Sequence, residues 1–426
     1  MKDQYSAATG AEHVSVRQGV QKLDLSSAHF QANPAPTWHA LHRKGPLVTS
    51  RLPLLGRIAL ATHYGPSLEI LRDTDQFSVD ARHGGHKQSA GMRWWVPSVF
   101  RPLATNLLTV EGSEHRELRR RVDFAFRRSR LTDLKPDIEN LAGHCIDNFL
   151  QAIAVDGQAD FVTHVARPLP QRVISRLLGL SSSSTESDSH LNRALSVLGG
   201  INGPVELFRA VPAIRIITRV ISTEIARRRA DPREDLLSEL VAEAGEGRAL
   251  TNEEISSLVF LLYVAGHETT THLLSTSVHH LLSHADLIRQ LDNPVRSNMI
   301  HEFVRYLSPV QMTKPRFVRS DIDFHGVKLR RGETVSVLIG AANRDPHVFD
   351  NPDDFDLHRG SSRHLGFGTG AHTCLGLQLA LLETATTLNE LFHHSPELTF
   401  ASGQHSAVWR RRLGLRALDS LLLSLA

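Results

Sequence analysis

The sequence predicts a mainly α-helical domain with a smaller β-sheet region. Three observations carry that expectation. Thr251 to Leu282 is apolar nearly all round at helical spacing, and Thr251 with Glu254 three residues on forms a capping box, so a long buried central helix starts there. A glycine-rich turn, Phe367 to Gly376, surrounds Cys374, and the run Leu377, Leu379, Ala380, Leu381 and Leu382 behind it suits a buried helix. Short β-type runs occur at Leu47–Thr49, at Ile58–Thr62 and within Arg316–Val337, where Gly326 and Arg331-Gly332 mark turns.

Composition narrows the function. The 426 residues are 41% hydrophobic and 22% charged, ordinary for a globular chain that buries a sizeable core. A net charge of +3 gives little support to a polyanion-binding role, so no nucleic-acid partner is expected. Two cysteines, Cys145 and Cys374, argue against a disulfide framework and against clustered-cysteine zinc sites, and for a reducing compartment. Met1 to Val20 is polar, without an apolar h-region or a bilayer-length span. The expectation is a polar tail over 1–32, one catalytic domain over 33–426, no membrane and a cytoplasmic location.

Along the chain, Pro36 to Arg43 reads as a short helix, and Pro66 opens another around Leu68, Ile70 and Leu71. Ala81 to Ser89 reads as a loop, followed by Trp94 and Trp95, which either line a cavity or anchor packing. Glu111 to Arg130 reads as one basic helix with His115 and Arg119 on one face. Ile138–Val155, Val165–Leu178, Ala210–Arg229 and Asp235–Ala244 have helical spacing, whereas Ser181–Ser189 and Asn202-Gly203-Pro204 read as loops. Glu302 and Arg305 can pair on the helix Asn298–Leu307, and Leu413–Leu425 suits a final strand or hairpin.

Two stretches carry chemistry. Gly368 and Gly370 permit backbone angles that bring N–H groups near the Cys374 sulfur, and the following helix N-terminus favours negative charge. Both effects lower a thiol's pKa, so Cys374 suits a nucleophile or an axial metal ligand. As a nucleophile it lacks an in-line base, because His372 is only two residues away and no orienting partner is evident. In the central helix, Ala265-Gly266-His267-Glu268-Thr269-Thr270 places a weak helix former, a buried acid and a back-bonding hydroxyl where an ordinary core helix avoids all three. A local opening in the helix accounts for this, as does a polar network that satisfies itself.

Phe367-Gly-x-Gly-x-His372-x-Cys374-x-Gly376 resembles the haem-binding loop of the cytochrome P450 family, in which the cysteine thiolate is the proximal iron ligand. The resemblance extends over almost the whole chain from Asn33. His115-x-x-x-Arg119 matches the helix whose His and Arg bind the haem propionates, and Arg316 and His372 match further propionate contacts. Ala265-Gly-x-Glu268-Thr269 resembles the oxygen-activation motif, in which Glu268 would pass protons and Thr269 would hold the bound oxygen species. Glu302, Arg305 and Arg359 match a buried structural triad, and about Leu178 to Pro212 corresponds to a mobile lid. The resemblance implies a P450 fold with the long helix over the haem, haem b on Cys374, dioxygen as co-substrate, and two-electron monooxygenation of a small apolar substrate. Val264, Val310, Trp94 and Trp95 are the candidate pocket walls. A ferredoxin or flavodoxin would supply electrons to a monomer, docking on Arg116, Arg120, Arg127 and Arg128. The alternatives are a peroxide-using peroxygenase, a non-oxidative haem-thiolate enzyme and a haem sensor. The Glu268–Thr269 pair favours dioxygen.

Overall fold

The computed structural model describes residues 23–53, 55–87, 99–100, 105–126, 128–180, 208–242, 249–292, 294–359, 363–402 and 407–426. Trp94, Trp95, Arg127, the loops at 181–189 and 202–204 and most of the expected lid lie outside these residues.

The chain opens with α1 (Ala28–Ala32) and α2 (Ala35–His42), then β1 (Leu47–Leu52), β2 (Gly56–Ala61), α3 (Tyr64–Arg72) and β3 (Phe77–Ser78). The described residues therefore include part of the expected tail, with α1 inside it. Leu25 and Phe30 are buried, and Phe30 meets Trp38 edge-on, because these apolar groups have a partner that only the folded domain supplies. Helix α3 begins at Tyr64, two residues before Pro66, the proline expected to open it.

The basic stretch is divided. Helix α4 (Gly112–Asp123) ends in a 3-10 turn over Phe124–Phe126, and α5 (Arg128–Asp156) begins afresh. No glycine or proline marks that break in the sequence. After β4 (Ala159–Asp160) and a π-helical turn (Val162–Ala166) come α6 (Pro168–Leu178), α7 (Val211–Ala230) and α8 (Leu236–Val241).

The central helix α9 (Asn252–Ser283) starts at the expected capping box: Glu254 N donates to Thr251 Oγ1 at 3.2 Å, and Thr251 N to Glu254 Oε2 at 2.8 Å. Ile255, Leu258, Val259, Leu273, Leu274, Val278 and Leu281 are buried along it, each contributing roughly 1.5–3 kcal/mol by burial. The helix shows no opening at the Ala265–Thr270 stretch. Thr269 Oγ1 donates to Ala265 O at 2.8 Å and Thr270 Oγ1 to Gly266 O at 3.2 Å, so the hydroxyls are absorbed by the helix's own carbonyls. Gly266 marks a close crossing, since a Cβ there would lie 2.9 Å from Ile174 Cδ1 and Cγ1 on α6.

Beyond α9 lie α10 (Ala285–Arg289), α11 (Ser297–Leu307), the strands β5 (Arg316–Val318), β6 (Ile322–Phe324), β7 (Val327–Leu329) and β8 (Thr334–Val337), then α12 (Ile339–Ala342) and α13 (Leu377–His394). Strands β9 (Leu398–Phe400), β10 (Ala407–Trp409) and β11 (Leu418–Leu425) end the chain. One sheet has the order β1-β2-β8-β5-β3, with β2 parallel to β8 and the other neighbours antiparallel. A second joins β10, β11 and β4, with β9 also on β11.

Helix α11 fixes the approach to the cysteine loop. Arg305 is fully buried and pairs twice with Glu302 at 2.7 Å, while its remaining N–H groups reach Asn343 O, Pro352 O and Asp354 O. Arg359 Nε reaches Glu302 Oε1 at 3.3 Å. With all partners supplied, the buried charges are tolerated and tie three distant segments together.

Candidate functional site

The cysteine loop is shaped by its glycines. Gly368 and Gly370 adopt φ of 66° and 73°, which a side chain would oppose. The turn closes with Cys374 N donating to Phe367 O at 2.8 Å, and Gly376 caps α13. Cys374 is accessible, yet protein surrounds it closely enough that burial pushes its thiol up. The Gly376 N–H and the Arg119 charge oppose that rise without cancelling it. The expected lowering of the thiol pKa is therefore overturned: desolvation by the whole surroundings outweighs one hydrogen bond and one charge. Cys145, by contrast, is packed into the hydrophobic core.

Residues distant in sequence gather on the loop. His115, buried on α4, packs against His372 with ring centroids 4.3 Å apart and the rings tilted by 51°. Arg119, one turn on, donates to Thr373 O at 2.8 Å and to Asp123 Oδ1 at 2.7 Å. His372 Nε2 lies 2.9 Å from Glu111 Oε1, and Glu111 Oε2 accepts from Val79 N at 3.0 Å. Burial alone would raise the Glu111 carboxyl; His372, the Val79 N–H and Arg316 outweigh it and hold the group low. Burial, reinforced by His372, pushes His115 down to about 4, leaving a neutral imidazole at pH 7. Arg316, buried at the start of β5, donates to Phe77 O at 3.2 Å and feels the Glu111 charge. Phe367 stands beside His364, with centroids 5.6 Å apart.

On α9, which packs against α13, Ala265 is exposed and Val264 half-buried. Glu268 is paired with Arg412: Nη2 donates to Oε2 at 2.9 Å, and Nη1 bonds Oε1. Burial would raise Glu268, but the guanidinium overrides it and the carboxyl stays below the ordinary range.

The Cytochrome P450 family model matches residues 70–395. The chain belongs to the cytochrome P450 family. It is 33% identical to the vitamin D(3) 25-hydroxylase of Pseudonocardia autotrophica over 95% of this chain and 96% of that protein. The solved structure of the P450 PksS from Bacillus subtilis aligns with a TM-score of 0.83 at 28% identity, covering 95% of this chain and all of that one. A myxobacterial P450 in complex with myristic acid aligns with a TM-score of 0.81 at 29% identity, covering 94% and 98%. This P450 is a haem-dependent monooxygenase, and the family's cofactor is haem b on a cysteine thiolate. The residues present fit that group: of the two thiols only that of Cys374 is accessible, and donors for two carboxylates lie beside its loop. Among the described residues no helix is long and apolar enough to cross a membrane.

Two site residues escaped sequence reasoning. Glu111 sits four before His115 and would read as a helix-start acid. Arg412 lies in an arginine run, Arg410-Arg411-Arg412, with no periodic signal.

Proposed function

We propose that Cys374 is the axial ligand of haem b, and that His115, Arg119, Arg316 and His372 anchor its propionates. The observation that carries this reading is that His115 and Arg119 on α4 meet the Cys374 loop at His372 and Thr373, while Arg316 on β5 feels the charge of the Glu111 that His372 bonds. His115, neutral, donates through a ring N–H; Arg119 and Arg316 supply permanent charge. Phe367 and Gly376 flank the ligating sulfur, and Ala265 offers a small side chain on the opposing helix. Held by Cys374, the haem would supply dioxygen activation, chemistry that a thiolate ligand favours.

The chain's own residues supply position and protons. Thr269 already donates its proton to Ala265 O, so Oγ1 can accept a hydrogen bond and pass a proton on when it turns. Glu268 holds charge at Oε1 and Oε2 under Arg412 and exchanges protons when that pair parts. The substrate is a small, largely apolar molecule, in keeping with the vitamin D3 and myristic acid named for two similar proteins. Electrons come from a separate ferredoxin or flavodoxin, docking where Arg116 and Arg120 are exposed on α4. Activity with a ferredoxin should fall at low salt when both charges are reversed.

The deciding experiment is the carbonyl difference spectrum of the reduced protein. Wild type should give the thiolate-type band, and Cys374→His should move it to the imidazole-type position. Protein without bound haem, or a band indifferent to Cys374, removes the reading.

A further inference from the structure

His301 and His364 join helix α11 to the segment that leads into the cysteine loop. His364 Nε2 lies 2.9 Å from His301 Nδ1, and Gly366 N donates to His364 Nδ1 at 3.1 Å. The Phe367 ring stands beside both imidazoles, its centroid 6.0 Å from that of His301 and 5.6 Å from that of His364. Phe367 O in turn accepts from Cys374 N at 2.8 Å. The backbone has no slack at Gly366, where a Cβ would collide with Val304 Cγ1 of α11. That helix is itself held by the fully buried Arg305, about one turn beyond His301.

Chemistry fixes the direction of these bonds. A backbone N–H only donates, so Nδ1 of His364 is its bare nitrogen and Nε2 carries the hydrogen. That hydrogen is directed at His301, whose Nδ1 accepts and whose own hydrogen sits on Nε2. Both rings are therefore neutral while the link is closed. Burial, reinforced by His301 and Arg305, pushes His364 down to about 3, and burial also lowers the half-buried His301. Arg305 is tied to Glu302, and among the described residues no carboxylate acts on either ring.

His301 is the partly exposed member of the pair, so acid reaches it first. A proton taken from water onto its Nδ1 sets donor against donor. His364 can answer only by moving its hydrogen to Nδ1, which then opposes the Gly366 N–H. The folded-state pKa of His301 lies below the ordinary 6.5, so the link is fully present above about pH 6.5 and is lost as pH falls through the folded value.

We propose that His301 and His364 are positioning residues for Cys374: the neutral pair fastens the Gly366–Phe367 backbone to α11 and keeps the sulfur in place for the iron, and a proton on His301 releases it. The proposal rests on the haem-site reading above and adds a pH-dependent control of the ligand.

The test uses the full-length haem protein. The carbonyl spectrum of wild type is recorded first, at about pH 8, well above the titration. Absence of the thiolate-type band there ends the haem reading and this proposal with it; any later failure ends this proposal alone. Wild type, His301→Asn and His364→Asn are then taken down to about pH 5, and the thiolate-type fraction is read at each step. Wild type should lose the band below about pH 6.5. An asparagine amide oxygen accepts as a bare Nδ1 does, and it does not titrate. His301→Asn keeps the acceptor for His364, and His364→Asn keeps the acceptor for the Gly366 N–H while cutting the tie to His301. Both should move the loss down by about one pH unit or more. His364→Leu, which removes both hydrogen bonds, should lose the band severalfold faster than wild type at the higher pH. A wild-type band indifferent to pH over this window, or an unchanged midpoint in either asparagine variant, overturns the proposal. So does an asparagine variant without the band at the higher pH, since the acceptor alone should suffice, and so does His364→Leu as persistent as wild type.

Discussion

Arg412, just ahead of β11, holds Glu268 of the central helix through two hydrogen bonds, the Nη2–Oε2 one at 2.9 Å. The pair is largely but not wholly buried, with side-chain exposures of 14% and 16%. Arg412→Met should cost about 2–3 kcal/mol in urea unfolding at pH 7, somewhat under the figure for a fully buried pair. The folded-state pKa of Glu268 is depressed, so the pair's contribution is present above the unfolded carboxyl pKa and lost as pH falls through the folded one. The difference between wild type and variant should thus be largest above about pH 4.5 and close at lower pH. A gap independent of pH would assign the effect to lost packing.

Thr269 tests proton delivery. Its hydroxyl donates within the helix, so Thr269→Ala removes a polar atom without leaving an unsatisfied donor. Stability should change little, while product formed per electron consumed falls severalfold and peroxide rises. Thr269→Ser should restore coupling. Equal coupling in wild type and Thr269→Ala would remove Thr269 from the proton path.

Gly266 separates helix propensity from packing. Alanine would favour the helix by about 1 kcal/mol. Its Cβ would meet Ile174 at 2.9 Å, and overpacking costs about 1–3 kcal/mol. Gly266→Ala should therefore be net destabilising. Adding Ile174→Ala, which removes both colliding atoms, Cδ1 and Cγ1, should give a double mutant more stable than the two single effects sum to.

Glu302→Gln leaves the fully buried Arg305 without its counter-charge. A loss of about 3–5 kcal/mol is expected. It should be read as a lower urea midpoint and less haem bound per chain, since Asn343, which bonds both Arg305 and Leu365, links this triad to the approach to the cysteine loop.

Local features were legible. The Thr251 capping box spans four residues, and the Cys374 turn needs only its own glycines, so neither depends on distant chain. The Glu302–Arg305 pair was legible by spacing, and Arg359 was added to it by the resemblance to the family's motif; all three meet. The break at Phe124–Phe126 was not legible, because no local residue demands it. Glu111 and Arg412 were missed because their partners lie 261 and 144 residues away.

The sequence by itself determined where the central helix begins, which turn exposes the sulfur and which family the motifs match, because hydrogen bonding and apolar periodicity act over a few residues. Tertiary structure alone decided that the Cys374 thiol is raised rather than lowered and that Glu268 is paired. Desolvation and ion pairing are set by what remote segments bring to a point, and no local pattern encodes that sum.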